Sequence, residues 1–558
     1  MSDSLEQLIL EILAYQPESK EAFDDARRRV CGQHKIPQPS NRDILKYYQK
    51  MFKMKRVPKA LHLEKFFQKA GVRSSSGIAV ITSLLKPYAC PGKCTYCPTE
   101  VRMPKSYVAS EPAAARSLRL NFNPYLLMQK RIEMLEENGH PVDKIEYITK
   151  GGTWNAYPIK YQYWYMMESF NACNNLSRRQ PIPYTEESDW NKRPLAELME
   201  RTEQEQRYNE GARHRIIGVT LETRPDAINE KTILHMRRQG CTRVELGLQA
   251  PDDRILELVK RGHTVDEFRR ALFLLRTAGF KVDLHFMPDL PGTTPEHDVE
   301  MYKSLFSDPT LRPDMVKIYP NTVIKSAELY QWFLDGRYKS YGDESLFQAL
   351  LEMKRSTPYY CRISRLIRDI PATEIENGNT TTNLRELLEA KMKQNGEVCV
   401  CLRCREISRQ KNKVEAGVEP TLFVEEYETV GGREYFLTLE DRKRIAVYGF
   451  LRLRIPNQQL MTGVSPQTLK RLFTALPEIK NAAFVRELHV YGDLVKIGQN
   501  NELASQHRGY GKRLLAEAEK IVQKAGVKKL AVISGVGVRG YYRKRGYRKI
   551  GTYMVKYF

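Results

Sequence analysis

The stretch CPGKCTYC, Cys90 to Cys97, sets three thiols into eight residues immediately after the strand-like run GIAVITSLL. Thiolates spaced C-x3-C-x2-C can hold three corners of a four-iron, four-sulfur cube and leave the fourth iron open to a ligand. A zinc knuckle is the competing reading, and it needs a fourth ligand close by. The chain beyond the loop decides between them. The runs KIEYITKGG, IIGVTLET, RVELGLQA, KVDLHFMPDL and MVKIYP alternate with helical periodicity up to about residue 320. Six strands separated by helices imply an α/β fold whose parallel sheet curves into a partial or complete barrel. Chemistry in such barrels sits at the carboxyl ends of the strands. CPGKCTYC, GGTWN, ETRPD and MPDLPG all fall at those ends, so the unusual residues converge on one rim.

The rest of the chain sets the context. The first twenty residues lack a basic stretch and a cleavage site, and no apolar run reaches membrane-spanning length, which reads as a soluble, cytoplasmic protein with no membrane partner. Ten cysteines in 558 residues of a reducing compartment point to metal ligands or catalytic groups rather than a disulfide framework. A net charge of +23 favours a polyanionic partner, with nucleic acid foremost. The charge is uneven: residues 41–75 hold ten basic and two acidic residues, whereas 1–40 hold five and seven. Within KYYQKMFKMKRVPK, Lys50, Lys53, Lys55 and Arg56 interleave with Tyr47, Tyr48 and Phe52, as phosphate contact plus base stacking requires. A solvated helix with a buried aromatic face gives the same pattern. The polar insertion from Leu176 to Arg215 is read as a surface excursion and carries no assigned chemistry.

The cysteine spacing together with the six βα units resembles the radical S-adenosylmethionine superfamily. That resemblance implies a 4Fe-4S cluster on Cys90, Cys94 and Cys97, S-adenosylmethionine on the open iron, an external electron donor, and Tyr96 against the adenine. The paired glycines of GGTWN, Gly151 and Gly152, leave backbone open to a ligand, although the superfamily more often has glutamate where Thr153 stands. Glu222, Arg224, Gln249 and Lys317 sit at strand ends and can meet methionyl or ribose groups, or equally serve as structural ion pairs. Beyond residue 414 the pattern changes to antiparallel strands and a compact α+β domain. There QHRGYG, Gln506 to Gly511, precedes a helix whose N–H groups can bind a pyrophosphate. It resembles the acyl-CoA loop of the GNAT acetyltransferases, and ISGVGVRGYYRKRGY puts Tyr541 and Tyr542 where a phenol can meet a thioester.

Both domains in one chain resemble the family of Elongator catalytic subunits, through PKSYVASEPAAARSLR, GCTRVELGLQ, HFMPDLPG, QHRGYGKRLL and VISGVGVRGYYRKRGY among other stretches. In that family GGT is the usual form. The resemblance implies a radical S-adenosylmethionine partial (β/α)6 barrel joined to a C-terminal α+β GNAT domain. The expected divisions are a tRNA-binding region at 1–75, the barrel at 76–375, a zinc-binding linker at 376–412 and the GNAT domain at 413–558. It implies 5-carboxymethylation of a tRNA wobble uridine, with acetyl-CoA as the carbon donor. Acetyl-CoA contacts are expected at Lys144, Glu487, Leu488, His489, Val490, Gly509, Tyr510, Gly511, Lys512 and Tyr542. CVCLRC, with Cys399, Cys401 and Cys404, resembles the zinc linker of some members; its fourth ligand stays open between Cys361, a distant histidine and water. A protein lysine acetyltransferase with the barrel kept as scaffold is the alternative function. Whether the chain forms a homodimer is left open by the sequence.

Overall fold

The computed structural model describes residues 2–58, 60, 66, 77–410, 413–414, 418–457, 464–491 and 509–558. Gln506, His507 and Arg508 of the QHRGYG stretch lie outside the described residues, as does most of 59–76. At the amino end, helices Ser2–Tyr15, Lys20–Gln33 and Asn41–Lys53 pack through Leu8, Phe23, Val30, Ile44 and Tyr48. Ser19 and Ser40 cap the second and third by accepting hydrogen bonds from the N–H groups of Ala22 and Asp43.

Strands β1 (Ala79–Leu84), β2 (Lys144–Lys150), β3 (Arg215–Thr223), β4 (Cys241–Gln249), β5 (Lys281–Phe286) and β6 (Met315–Ile318) are the six expected from the apolar runs. After β7 (Thr322–Val323) comes a further strand, β8 (Arg362–Arg365), which the apolar pattern misses because RISR buries Ile363 alone. β7 instead pairs with β9 (Asn377–Gly378) in a two-residue ladder. The sheet order is β1-β2-β3-β4-β5-β6-β8 and every pair is parallel, so β1 and β8 are the edges of an open barrel. Burial alternates along β2: Ile145, Tyr147 and Thr149 are buried, and Lys144, Glu146, Ile148 and Lys150 only partly so. The period of two puts that second set on the concave face. A polar interior is therefore written into the strands.

The second sheet runs β10 (Thr421–Thr429), β11 (Gly432–Glu440), β12 (Val447–Pro456), β13 (Ala483–Val490), β14 (Lys529–Val532), β16 (Tyr553–Tyr557), β15 (Arg548–Ile550). All pairs are antiparallel except β13 with β14, which match only from Ala483 to Val485. β14 then ends at Val532, and β13 runs on past it while still paired to β12. The two strands open a cleft there, and the helix Tyr510–Lys524 packs against β12 and β13.

The domains share one apolar core in which Leu246 and Phe280 of the barrel join Phe436, Phe484 and Val536. Charge fastens the joint. Arg486 donates to both oxygens of Asp314 at 2.8 and 2.6 Å and to Glu434, all three fully buried. A Cβ at Gly535 would collide with the carbonyl of Ile217 on β3. The 176–215 insertion belongs to this joint as well, since Glu210 accepts from Arg539 and Arg543.

Candidate active site

One cavity of about 1060 Å³ opens inside the barrel, and Cys90, Cys94, Cys97 and Tyr96 line its rim. The loop that carries them is fixed by close approach: a Cβ at Gly92 would run into the Arg224 guanidinium. Arg224 donates to Asp226 at 2.9 Å and to Gly262 O at 3.2 Å, and its Nη1 lies 4.0 Å from Cys94 Sγ. Arg261 stands beside it with Nη1 3.5 Å from the same sulfur. The Cys97 thiol and the Arg261 guanidinium hold the Cys94 thiol well below its ordinary value, against burial. Two buried guanidinium groups beside a thiolate suit a site that must carry the negative charge of several thiolates and sulfides. The donor set and the adjoining space fit a 4Fe-4S cluster.

The other sequence-predicted rim residues converge here. Thr153 Oγ1 lies 3.6 Å from Cys90 Sγ, which joins the GGT turn to the cysteine loop. Gly151 and Gly152 have φ of +152° and +84°, and a Cβ at Gly152 would meet Lys105 O at 3.2 Å, so both positions demand glycine. Gln249 also lines the cavity and holds φ at +78°, a strained value for a residue with a side chain. Glu222 accepts from Tyr107 at 2.7 Å. Burial alone would raise its carboxyl, but Lys150 and His285 outweigh burial and lower it.

Sequence reading missed the layer below the rim. Glu245 is fully buried, bonds Lys150 at 3.1 Å and pairs with Lys317. Its carboxyl is held far below the usual range by these two ammonium groups, against burial. Asp283 and His285 complete this layer, and Arg243 with Glu146, 2.8 Å apart, forms the next one down. The signal was present: KIEYITK, RVELGLQ and KVDLHF carry charges at alternate positions of apolar strands.

In the second domain, Gly509 (φ +77°) starts the helix Tyr510–Lys524, and Lys512 on its first turn is exposed. A Cβ at Gly511 would meet the Tyr541 hydroxyl at 2.7 Å and Val490 at 3.6 Å, which brings three predicted residues together. Tyr510 is buried in the core of the domain. Tyr542, Glu487, Leu488 and His489 line a space of about 100 Å³ between the domains, with Glu146, Gly218 and Lys281 supplied by the barrel. Burial raises the Tyr542 phenol, so it stays protonated. Glu487 is committed to the joint: it pairs with Arg452 at 3.0 Å and Lys281 at 3.4 Å, which against burial hold its carboxyl at about 2. Lys144 begins β2 two residues before Glu146, and burial lowers its ammonium.

Cys399, Cys401 and Cys404 gather their sulfurs within 4.8 Å of one another, without Cys361. Tetrahedral zinc with Zn–S bonds of about 2.3 Å sets its sulfurs about 3.8 Å apart, so the triplet fits that metal. Glu389 Oε1 lies 3.7 Å from Cys404 Sγ.

At the basic amino end, Lys50, Lys53 and Lys55 are exposed and Phe52 is 40% exposed. Arg56 pairs with Glu6 at 3.0 Å. Tyr48 is buried and donates to Pro58 O, so it is a core residue and not a stacking platform.

A tRNA uridine(34) acetyltransferase of Methanocaldococcus jannaschii is 40% identical to this chain over 535 residues, covering 94% of the chain and 91% of that protein. The chain belongs to the Elp3 family. Elongator complex protein 3 of Saccharomyces cerevisiae is 34% identical over 534 residues, covering 93% of the chain and 88% of that protein. The solved structure of Methanocaldococcus infernus Elp3 with an N-terminal deletion covers 87% of the chain, and all of that chain is matched, at 37% identity and a TM-score of 0.70. The Radical SAM superfamily matches residues 85–305 and the Radical_SAM C-terminal domain residues 313–394. The chain is thus a radical S-adenosylmethionine enzyme of barrel plus GNAT architecture, with iron–sulfur and S-adenosylmethionine as its cofactors. No described helix is long and apolar enough to cross a membrane.

Proposed function

We propose that this protein modifies uridine 34 of tRNA, adding a carboxymethyl group at carbon 5 with acetyl-CoA as the carbon donor. The observation that carries this reading is the union of two sites in one unit with a shared core: a three-thiol rim over a large cavity, and a GNAT cleft backed onto the same barrel. Its relatives are named for acetyl transfer to tRNA uridine 34.

Cys90, Cys94 and Cys97 hold the cluster, and Arg224 and Arg261 balance its charge. With S-adenosylmethionine bound, this group supplies hydrogen-atom abstraction from an unactivated methyl group. Gly151, Gly152 and Thr153, with Glu222, Gln249 and, from the layer below, Lys317, fix the ligand inside the rim of the cavity. In the second domain Gly509 to Lys512 and Leu488 to Val490 receive acetyl-CoA. Tyr542, kept protonated by burial, donates to the thioester oxygen, and Tyr541 supports the turn at Gly511. Lys144, on the same face of β2 as Glu146, brings a cation to the cleft from the barrel side. Cys399, Cys401 and Cys404 hold zinc as a structural tie. Lys50, Lys53 and Lys55 bind tRNA phosphates, and an external donor supplies the electron.

The test is mass spectrometry of tRNA nucleosides after anaerobic incubation of the reconstituted protein with S-adenosylmethionine, a reductant and acetyl-CoA labelled in the acetyl methyl. Label at carbon 5 of uridine 34 supports the reading. Label on protein lysines alone replaces it.

A further inference from the structure

The radical site and the thioester cleft lie at opposite ends of one barrel. On β2 the residues that line the cavity run from Glu146 at its floor to Gly152 at its rim. The four steps from Glu146 to Lys150, where β2 ends, span about 13 Å along the strand, and Gly152 lies past that end. The small space next to Tyr542 lies directly beyond that floor, and Glu146 lines both cavities. The wall between them is thin. Gly218, on the cleft side, contributes no side chain, and a Cβ there would make only ordinary contact with Thr242 at 3.6 Å and Glu146 at 3.9 Å. What spans the gap is the Arg243–Glu146 ion pair, with side chains 10% and 21% exposed. Breaking a pair buried this far costs about 3–5 kcal/mol, so the wall stays shut until an arriving group offsets that cost.

The interior also suits an occupant with amide and carbonyl groups. Glu245 Oε1 and Asp283 Oδ1 are buried with no hydrogen-bond partner among the described residues, and both residues line the cavity. Buried acceptors left open in this way call for a donor that is not part of the fold. Lys150 and Lys317 stand beside them to meet a carbonyl oxygen.

We propose that the barrel interior is the route by which the acyl end of CoA travels from the GNAT cleft to the cluster rim, with the Arg243–Glu146 pair as its gate. The inference rests on the function proposed above. The amide N–H groups of the pantetheine arm donate to Glu245 and Asp283 as the arm threads the interior, and the thioester carbonyl meets Lys150 or Lys317. Arg243 and Glu146 are positioning residues and take part in no bond making.

The test narrows the route at mid-depth. Ile148, between Glu146 and Lys150 on β2, lines the cavity away from both ends. In Ile148→Trp, iron content and 5′-deoxyadenosine formation should stay within twofold of wild type, as should hydrolysis of acetyl-CoA in the presence of tRNA. Labelled uridine product should fall at least tenfold. Thr82→Phe repeats the test from β1, where Thr82 pairs in register with Ile148 and lines the cavity; it decides the matter if the tryptophan variant misfolds. Glu146→Gln, which loosens the gate, should raise acetyl-CoA hydrolysis without tRNA by threefold or more. Product at the wild-type rate in both narrowed variants, with both half-reactions intact, overturns the route. Unchanged hydrolysis in Glu146→Gln overturns the gate. If wild type itself makes no labelled uridine, the proposed function has failed and not this inference.

Discussion

Cys90, Cys94 and Cys97 stand on a loop at the mouth of a large cavity, whereas Cys399, Cys401 and Cys404 are folded in where the barrel meets the second domain. The first triplet has two guanidinium groups at the Cys94 sulfur and open space beside it. The second has its thiols against Lys354 O and Glu389, and its loop is tied down by Arg405, which bonds Val400 O at 2.8 Å, Tyr359 O at 2.9 Å and Glu440 at 2.7 Å. Tyr359 belongs to the barrel and Glu440 to the second sheet. Under the proposed function three thiols are a reactive centre in one setting and a rivet in the other, and the surroundings decide which. Access separates them more sharply than spacing does.

The largest effect should come from breaking the first triplet. Cys94→Ala should abolish the cluster and all uridine modification, while the melting temperature and acetyl-CoA binding change little. Iron content, cluster absorbance and calorimetry with acetyl-CoA check it, and wild-type iron content would refute the ligand assignment. The second triplet should behave in reverse. Cys401→Ser should release zinc and lower stability by about 4 kcal/mol or more, while a sample kept cold retains its iron and its turnover. A cluster lost together with the zinc would mean that the two triplets do not have separate roles.

The barrel rim was legible in the sequence because glycines, prolines and cysteines at strand ends have few structural uses. The six apolar strands were legible through their β-branched runs. β8 was not, because three of its four residues are Arg or Ser and only Ile363 packs. The interior was harder still. Lys150, Glu245, Asp283 and Arg243 look like surface charges until the parallel register places them in one layered interior. Pairing of that kind is non-local, and no window of sequence contains it. Glu487 shows the converse: the resemblance implies a ligand contact, and the structure engages the carboxylate with Arg452 and Lys281.

A smaller effect tests the rivet without touching sulfur. Arg405→Met removes three hydrogen bonds and leaves Glu440 with Arg444 and the Thr438 hydroxyl. Stability should fall by about 2–3 kcal/mol, with zinc still bound. Chemical denaturation alongside zinc content measures both. Loss of zinc in this variant would show that Arg405 shapes the thiol loop itself and does more than join it to its neighbours.

The smallest effect concerns the side from which tRNA approaches. Arg42 pairs with Glu137 at the end of the helix Pro124–Glu137, and Arg131 and Leu135 of that helix line the large cavity. That helix ends just before β2 begins, so the basic amino end abuts the barrel at the end of the cavity opposite the rim of Cys90, Cys94 and Cys97. Lys53→Gln with Lys55→Gln should weaken tRNA binding severalfold and reduce the slope of log affinity against log salt by about 0.9 for each phosphate no longer neutralised. Arg56 is already engaged by Glu6, so adding Arg56→Gln should change the slope by less than either lysine does. Binding isotherms over a range of salt concentrations read both quantities. An unchanged slope in the double variant would move the tRNA-binding surface away from this arm. Equal steps for all three substitutions would mean that the Arg56–Glu6 pair breaks when RNA arrives.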